Sequence, residues 1–372
     1  MNNRPSFSIV LEGARGCNGQ CAYCLAHSNG NKEKSHIKIN AKKMIQTIKN
    51  TKAIYSEEKV QKYGIHFDLW NNGDGLMHLH EMQKIINILR KEWYNCSISI
   101  STNGILLADD RIAEWIMENN LTFQISHDGL GQWARTGDIN PLEFENTIAL
   151  AKLGFFTSIN CTLTGYNHSF FKNIEYFNEW RKRNGLMNIK TLSIKLNHIY
   201  DSDYDDFEYK GKKYNSRLKG KVLDEYLSEF VSLAHICRKL GYTESYYYPY
   251  VSYIVEQSNR YNKSNNKSKY GGSCYNFQSG YQNWNFVIST NGKYCSCNLL
   301  DSSTILVAEH PKYCEKCRFK GQGECKRCAS MPYAKKPEFC IKWLRVLENF
   351  YVLNQVENIV RDKESKSTKN KC

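Results

Sequence analysis

The chain has 372 residues, 41% of them hydrophobic, so it can bury the core of one barrel-sized domain with a smaller appendage. Its first residues lack the apolar run of a signal peptide, and no later stretch offers about 18 consecutive apolar residues for a membrane span. These features exclude an exported or membrane-spanning chain, and we expect a cytoplasmic protein with no membrane partner.

The formal net charge of +14 suggests nucleic acid as a partner, because clustered lysine and arginine bind phosphate. Residues 260–269 carry four cations and no acid, and residues 361–372 carry a net charge of +3. Both segments have the polar composition of a solvated linker or tail. Nucleic acid therefore stays an alternative partner that the positions of the charges do not favour.

Apolar periodicity predicts alternating strands and helices over the first 200 residues. The predicted strands are 7–11, 65–70, 97–101, 121–126, 157–163 and 191–196, and the helices between them are 39–62, 80–93, 111–118, 141–153 and 170–183. Six such units indicate an α/β fold, a partial (β/α)6 TIM-like barrel with its chemistry on the loops after the strands. A polar inserted loop at 200–220 and a closing helix at 222–240 follow.

Three cysteines stand on the loop after the first strand: Cys17, Cys21 and Cys24, with three and then two residues between them. Three thiolates on so short a loop can hold three irons of a 4Fe-4S cluster and leave the fourth iron open. A zinc or disulfide loop is the alternative, although three cysteines fall one short of a closed zinc site. With the aromatic Tyr23 before the last cysteine, the segment resembles the CxxxCxxC loop of radical S-adenosylmethionine (SAM) enzymes. The resemblance implies that SAM chelates the open iron and that the ring of Tyr23 supports its adenine.

Two later strand ends carry further segments that are similar to motifs of this family. Asn72, Gly73 and Asp74 follow the second strand in register with a family segment that binds the amino group of SAM, and an ordinary glycine-rich turn is the alternative. After the third strand, the segment from Ser101 through Asn103 to Gly104 looks like the family's turn near the SAM ribose.

The end of the fourth strand gives another match. Ser126, His127, Asp128 and Gly129, with Arg135 beyond them, resemble a segment of the peptide-modifying branch of the family. The resemblance implies that Ser126 and Arg135 lie near the SAM carboxylate. His127 and Asp128 fit an ordinary turn equally well.

A second region holds eight cysteines: Cys274, Cys295, Cys297, Cys314, Cys317, Cys325, Cys328 and Cys340. A single structural zinc, bound by the four cysteines from 314 to 328, is the alternative to an iron-sulfur role. Because fifteen cysteines without an export signal make a poor disulfide framework, metal ligation is favoured for most of them.

The order of these cysteines resembles the SPASM domain of radical SAM enzymes, which carries two auxiliary 4Fe-4S clusters, although the spacers differ slightly. The resemblance implies that each auxiliary cluster is bound by its own set of four cysteines. The sets are Cys274, Cys295, Cys297 and Cys328, and Cys314, Cys317, Cys325 and Cys340.

The predicted domains are a radical SAM barrel at 1–240, a connector at 241–272, the auxiliary-cluster domain at 273–345 and a helix and tail at 346–372. The family resemblance implies an enzyme that cleaves SAM reductively, with electrons from a donor such as flavodoxin or ferredoxin, and abstracts a hydrogen atom from a peptide or protein side chain. A sugar, nucleoside or nucleic-acid substrate and a non-catalytic metal-binding protein are the alternatives.

The short segment before Cys17 resembles the layout of anaerobic sulfatase maturases. Those enzymes carry a catalytic aspartate directly after a cysteine that corresponds to Cys297, whereas Asn298 follows here and cannot accept a proton. Asp301 is the nearest replacement and is the predicted catalytic base.

Overall fold

A computed structural model gives the fold. The residues that it describes are 7–11, 17–19, 21, 23–24, 40–54, 64–69, 73–93, 96–189, 191–198, 206–239, 285–288, 294–295, 315, 338, 341–343, 345–346, 349 and 352.

Six strands form a parallel sheet in the order of the sequence. They are β1 (Phe7–Leu11), β2 (Ile65–Leu69), β3 (Cys96–Thr102), β4 (Thr122–Ser126), β5 (Phe156–Leu163) and β6 (Ser193–His198). Each strand pairs in parallel with the next, which requires a crossover connection between them. The predicted α/β class with a partial TIM-like barrel is confirmed.

Helices lie in the connections between the six strands, and one more helix comes after them in the chain. They are α1 (Ala41–Ile54), α2 (Leu79–Glu92), α3 (Asp110–Glu118), α4 (Trp133–Thr136), α5 (Glu145–Lys152), α6 (Phe170–Arg183) and α7 (Gly220–Lys239). Polar caps set two of the starts: Asp109 accepts a hydrogen bond from the backbone N–H of Arg111, and Ser169 accepts one from Lys172. Within the described part of the chain, no helix is long and apolar enough to cross a membrane.

The two faces of the sheet differ in chemistry because side chains alternate along each strand. One face is apolar and packs with the buried helix residues, with Phe67, Ile98, Phe123 and Ile194 fully or almost fully buried. The opposite face, here called the inner face, is polar and partly accessible. It carries His66, Asp68, Ser97, Ser99, Ser101, Gln124, Ser126, Ser158, Asn160 and Lys195.

The predicted helix 141–153 is divided in the structure. A 3₁₀ turn at Pro141–Glu143 precedes α5, and Phe144 between them is extended with φ −71° and ψ 135°. The turn has its own cap, since the side chain of Asn140 accepts a hydrogen bond from the N–H of Leu142. The apolar spacing continues through both segments, so periodicity alone does not show the break.

The polar segment at 200–220, expected to be an inserted loop, contains a β-hairpin. Strands β7 (Asp206–Tyr209) and β8 (Lys212–Asn215) pair antiparallel across Lys210 and Gly211, which have φ values of 49° and 73°. Two successive positive φ values make a tight turn whose twist suits a hairpin. The ring centroid of Trp133 lies 4.8 Å from that of Tyr209 and 4.4 Å from that of Tyr214, so the hairpin packs against α4.

Two strands from the cysteine-rich region extend the barrel sheet. Strand β9 (Asn285–Ile288) pairs parallel with β1, and β10 (Tyr294–Cys295) pairs antiparallel with β9. Sequence analysis had placed these residues in a separate auxiliary-cluster domain and predicted no strand there. Further along, Trp343 is fully buried, with its ring centroid 5.2 Å from that of Phe230 on α7.

Candidate functional site

The loops after β1, β2, β3 and β4 meet at the carboxyl edge of the sheet. The first loop contacts the third through Asn103 and Cys17, and the second contacts the third through Asp74 and Asn103. Tyr23 on the first loop contacts Asp128 after β4. Parallel strands place such loops together, and the hydrogen bonds between them define one site.

The three loop cysteines lie on one short loop at this edge. Cys17, Cys21 and Cys24 form no disulfide and have intermediate exposure, and the N–H of Cys24 donates to the carbonyl of Cys21 at 3.2 Å. Burial raises the pKa of Cys17 and raises the pKa of Cys21 to about 12, and the neighbouring thiols add to both shifts. Metal binding therefore has to displace the protons of these thiols.

Within the described ranges, no three His, Cys, Asp or Glu side chains are grouped to bind a single metal ion. A 4Fe-4S cluster makes a different demand, because each thiolate binds its own iron. Three thiols spread along one short loop fit that demand.

Two hydrogen-bond donors point at the sulfur of Cys17. The backbone N–H of Gly19 lies 3.3 Å from Sγ, and Nδ2 of Asn103 lies 3.4 Å from it. Asn103 is held for this contact, since its Oδ1 accepts from the N–H of Ile105 at 2.9 Å and its Nδ2 also donates to Oδ1 of Asn18 at 2.8 Å. A Cβ at Gly19 would lie 3.2 Å from Asn103 Nδ2, so a larger residue there would press on this contact.

The carboxylate of Asp74 joins the loops after β2 and β3. It is buried and accepts hydrogen bonds from the N–H of Leu76 at 3.0 Å, the hydroxyl of Thr102 at 2.9 Å and the N–H of Asn103 at 2.6 Å. Burial raises the pKa of Asp74, while these donors and the charge of Arg135 oppose the shift. The Thr102 hydroxyl also lies 3.0 Å from the second carboxylate oxygen, so four contacts from three donors surround this buried carboxylate.

Tyr23, Asp128 and Arg135 form a buried cluster. The Tyr23 hydroxyl donates to Oδ2 of Asp128, and Nη2 of Arg135 donates to the Tyr23 oxygen at 2.5 Å and to Oδ1 of Asp128 at 3.2 Å. The side chain of Asp128 is fully buried and that of Arg135 is 11% exposed. Nε of Arg135 is also buried and has no hydrogen-bond partner among the residues that the structure describes. This donor can bind an acceptor that lies outside the described residues.

Sequence analysis did not assign a role to Asp128, although it pairs with Arg135 and orients Tyr23. The signal available was its position before a glycine at a strand end, seven residues ahead of an arginine. The neighbouring His127 is structural: its Nδ1 accepts from the N–H of Gly129 at 3.0 Å, and its Nε2 contacts Oδ1 of Asn140 at 2.8 Å. Burial lowers the pKa of His127 to about 3, so the ring is neutral.

The remaining predicted site residues fall into three groups, according to how much of each the structure describes. Ser101 is buried, and its Oγ accepts a hydrogen bond from Nε2 of Gln124 at 2.5 Å. Ser126 ends β4 on the inner face, and Gly73 is partly buried beside Asp74. Of Cys295, the structure describes only the backbone, in β10. Outside the described residues lie Asn72, Asp301, Cys274, Cys297, Cys314, Cys317, Cys325, Cys328 and Cys340.

The fold and site define an α/β protein with a three-cysteine loop at the carboxyl edge of its parallel sheet. No family model matches the chain. It is similar to uncharacterized protein MJ0907 of Methanocaldococcus jannaschii, with 30% identity over 124 residues. The alignment spans 33% of this chain and 38% of that relative, well under half of each.

A solved structure gives a further, distant similarity. It is a mutant spore photoproduct lyase with bound AdoMet and a dinucleoside spore photoproduct, at 14% sequence identity and a TM-score of 0.39. The alignment covers 61% of this chain and 73% of that chain. So distant a likeness assigns no activity, and the function is inferred from the site itself.

Proposed function

We propose that this chain is a radical SAM enzyme whose catalytic 4Fe-4S cluster is bound by Cys17, Cys21 and Cys24. The observation that carries the proposal is the position of three cysteines on the loop after β1, a loop that contacts Asn103 after β3 and Asp128 after β4. When bound, the cluster and SAM supply a 5′-deoxyadenosyl radical that abstracts a hydrogen atom from carbon. The protein's own part is to bind, orient and shield these groups.

The residues around the thiols suit a ligand with an amino and a carboxylate group. Asp74 is a buried carboxylate whose negative charge suits an ammonium donor, and Nε of Arg135 is a buried donor without a partner in the described part of the chain. Buried polar groups are normally paired, so an unpaired guanidinium N–H beside the cysteine loop favours an anionic ligand. These are the groups with which we propose that the chain holds SAM.

The proposed substrate is a peptide or protein side chain. Support comes from the resemblance of the eight-cysteine region to SPASM domains. We propose that each of its two sets of four cysteines binds one auxiliary cluster and that Asp301 is the catalytic base. Electrons would come from a small donor such as flavodoxin or ferredoxin. A sugar, nucleoside or nucleic-acid substrate is the alternative outcome.

Iron analysis and SAM cleavage test the proposal together. After anaerobic reconstitution the chain should hold about twelve irons, because each of three cubane sites contributes four. Replacing Cys17, Cys21 and Cys24 with alanine should remove about four irons and abolish formation of 5′-deoxyadenosine. The matched control replaces Cys96, a buried cysteine at the start of β3, and should change neither quantity.

Three results would contradict parts of the proposal. Stoichiometric zinc with about four or fewer irons would contradict the two auxiliary clusters. Full iron content and SAM cleavage in the triple alanine variant would contradict the role of the cysteine loop. Turnover of an oligosaccharide or nucleic acid in place of a peptide would replace the substrate class.

A further inference from the structure

The inner face of the sheet carries a row of polar side chains across three strands. Ser126 on β4 pairs in register with Asn160 on β5, and Asn160 pairs with Lys195 on β6. Neighbouring strands lie about 4.8 Å apart, so the three residues stand side by side across the sheet. All three are partly exposed, and they begin at the strand end that leads to Asp128.

Lys195 is poorly neutralised in this row. Its Nζ lies 3.4 Å from Oε1 of Gln124 and forms no ion pair with any described residue. That oxygen also accepts from Nδ2 of Asn160 at 2.8 Å and from the hydroxyl of Ser158 at 3.3 Å. An ammonium group has three donors, so at least two are not used by the described residues.

The carboxylate facing this ammonium belongs to a different network. Asp68 on β2 accepts from the hydroxyl of Ser99 at 3.0 Å, and the ring of His66 contacts Ser97 at 2.8 Å and Ser99 at 3.0 Å. Asp68 attracts Lys195 without pairing with it. Burial lowers the pKa of Lys195 and raises the pKa of Asp68, so each charge lies in a poorly solvated place.

A polar, partly exposed face whose cation forms no ion pair with a described residue, next to a proposed radical source, has the features of a substrate site. We propose that Lys195, with the amide of Asn160 beside it, binds an anionic oxygen group of the substrate, a carboxylate or a phosphate. The inference rests on the proposed function, since it places the substrate on the inner face of the sheet, next to the proposed SAM site.

Anion binding by the reconstituted full chain tests this site. The probes are radiolabelled inorganic phosphate and acetate in equilibrium dialysis at fixed ionic strength. Lys195→Met should weaken binding of at least one probe by about tenfold or more, because a charge-assisted contact is lost, and Lys195→Arg should retain most of it. Lys212→Met, which removes an exposed lysine of β8, is the matched control and should bind as wild type does.

The choice of probe separates the two sources of the anion. A loss confined to phosphate indicates a phosphorylated substrate, a loss confined to acetate indicates an acidic peptide or free carboxylate, and either result supports the site. Equal binding of both probes by wild type and Lys195→Met would overturn it. So would a tenfold loss of SAM affinity in Lys195→Met with both probes unaffected, since the anion would then be the SAM carboxylate.

Failure of this inference can be told apart from failure of the proposed function. The proposed function fails if the wild-type chain holds no iron or does not cleave SAM. The inference fails on anion binding, which requires neither a radical nor turnover.

Discussion

Nδ2 of Asn103 lies 3.4 Å from Sγ of Cys17 and donates a hydrogen bond to it, which ties the end of β3 to the loop after β1. The N–H of Gly19 is a second donor to the same sulfur at 3.3 Å. Hydrogen bonds to ligand sulfurs help to set the reduction potential of an iron-sulfur cluster, because they favour the more negative, reduced state. Asn103 is therefore a positioning residue for the proposed cluster.

Removing this donor should lower the reduction potential of the cluster. We expect Asn103→Ala to shift the midpoint to more negative values by about 40 mV, which corresponds to about 1 kcal/mol for one electron. Asn103→Asp should shift it further, since it keeps the acceptor for Ile105 but adds a negative charge. Potentiometric titration followed by electron paramagnetic resonance checks this, with Asn146→Ala as a control on an amide that bonds elsewhere. An unchanged midpoint in both Asn103 variants would contradict this role.

Asp74→Asn should weaken SAM binding and also destabilise the fold. The predicted bond to the SAM amino group is charge-assisted, so its loss should reduce affinity by about 10- to 100-fold with iron content unchanged. An amide nitrogen at Asp74 would also face at least one of the donors from Leu76, Thr102 and Asn103, which should cost about 1–3 kcal/mol of unfolding free energy.

Thr102→Val is the matched control for Asp74. It removes one donor to the carboxylate and keeps the charge, so we expect a loss of stability without the loss of SAM affinity. Equilibrium dialysis and thermal unfolding separate the two effects. Equal SAM affinity in wild type and Asp74→Asn would make the carboxylate a connection between loops and nothing more.

The order of strands and helices could be predicted because their periodicity is local. Helix α6 has the predicted bounds, Phe170–Arg183, since Ser169 caps it and apolar residues recur at helical spacing. The cysteine loop could likewise be placed after β1 from the spacing of Cys17, Cys21 and Cys24 alone. These features depend on neighbours a few residues away.

Features that depend on distant partners were not predictable from the sequence. Strand β9 pairs with β1, which precedes it by more than 270 residues, and nothing in the four residues Asn285–Ile288 specifies that partner. The cluster of Tyr23, Asp128 and Arg135 joins residues up to 112 positions apart. The sequence supplied the residue types, but only the sheet order brings them together.

The buried ring of His127 should make the unfolding free energy of the chain fall in acid. Burial lowers its pKa to about 3 in the folded chain, whereas an unfolded histidine titrates near about 6.5. Below that pH the unfolded chain binds a proton that the folded chain does not, so the stability present above pH 6.5 falls as pH falls toward 3. Between pH 7 and pH 5 this one group should cost about 2 kcal/mol.

His127→Gln should reduce that dependence on pH, although it lowers stability at pH 7 through its altered contacts with Gly129 and Asn140. Denaturant unfolding at pH 7 and pH 5 measures the difference. His80→Gln, an exposed change on α2, serves as the control and should lose as much stability as wild type does. An equal loss in His127→Gln would show that the buried ring does not carry the effect.

Tyr23 and Arg135 share one cluster but should respond differently to substitution. Tyr23→Phe keeps the ring that is proposed to support adenine and leaves the pair of Arg135 and Asp128 in place. It should lower the unfolding free energy by about 1–3 kcal/mol, because buried hydrogen bonds of the hydroxyl are lost. SAM affinity should stay within about threefold of wild type, which is under 1 kcal/mol.

Arg135→Lys, in contrast, should lower the affinity for SAM. Lysine keeps the positive charge beside Asp128, so the buried carboxylate remains paired, but it has no donor at the position of Nε. If that nitrogen binds the SAM carboxylate, affinity should fall by about tenfold or more while iron content is retained. SAM dialysis and iron analysis on both variants test the contrast. A loss of affinity in Tyr23→Phe as large as that in Arg135→Lys would assign the contact with SAM to the hydroxyl of Tyr23, because that atom is the one that Tyr23→Phe removes.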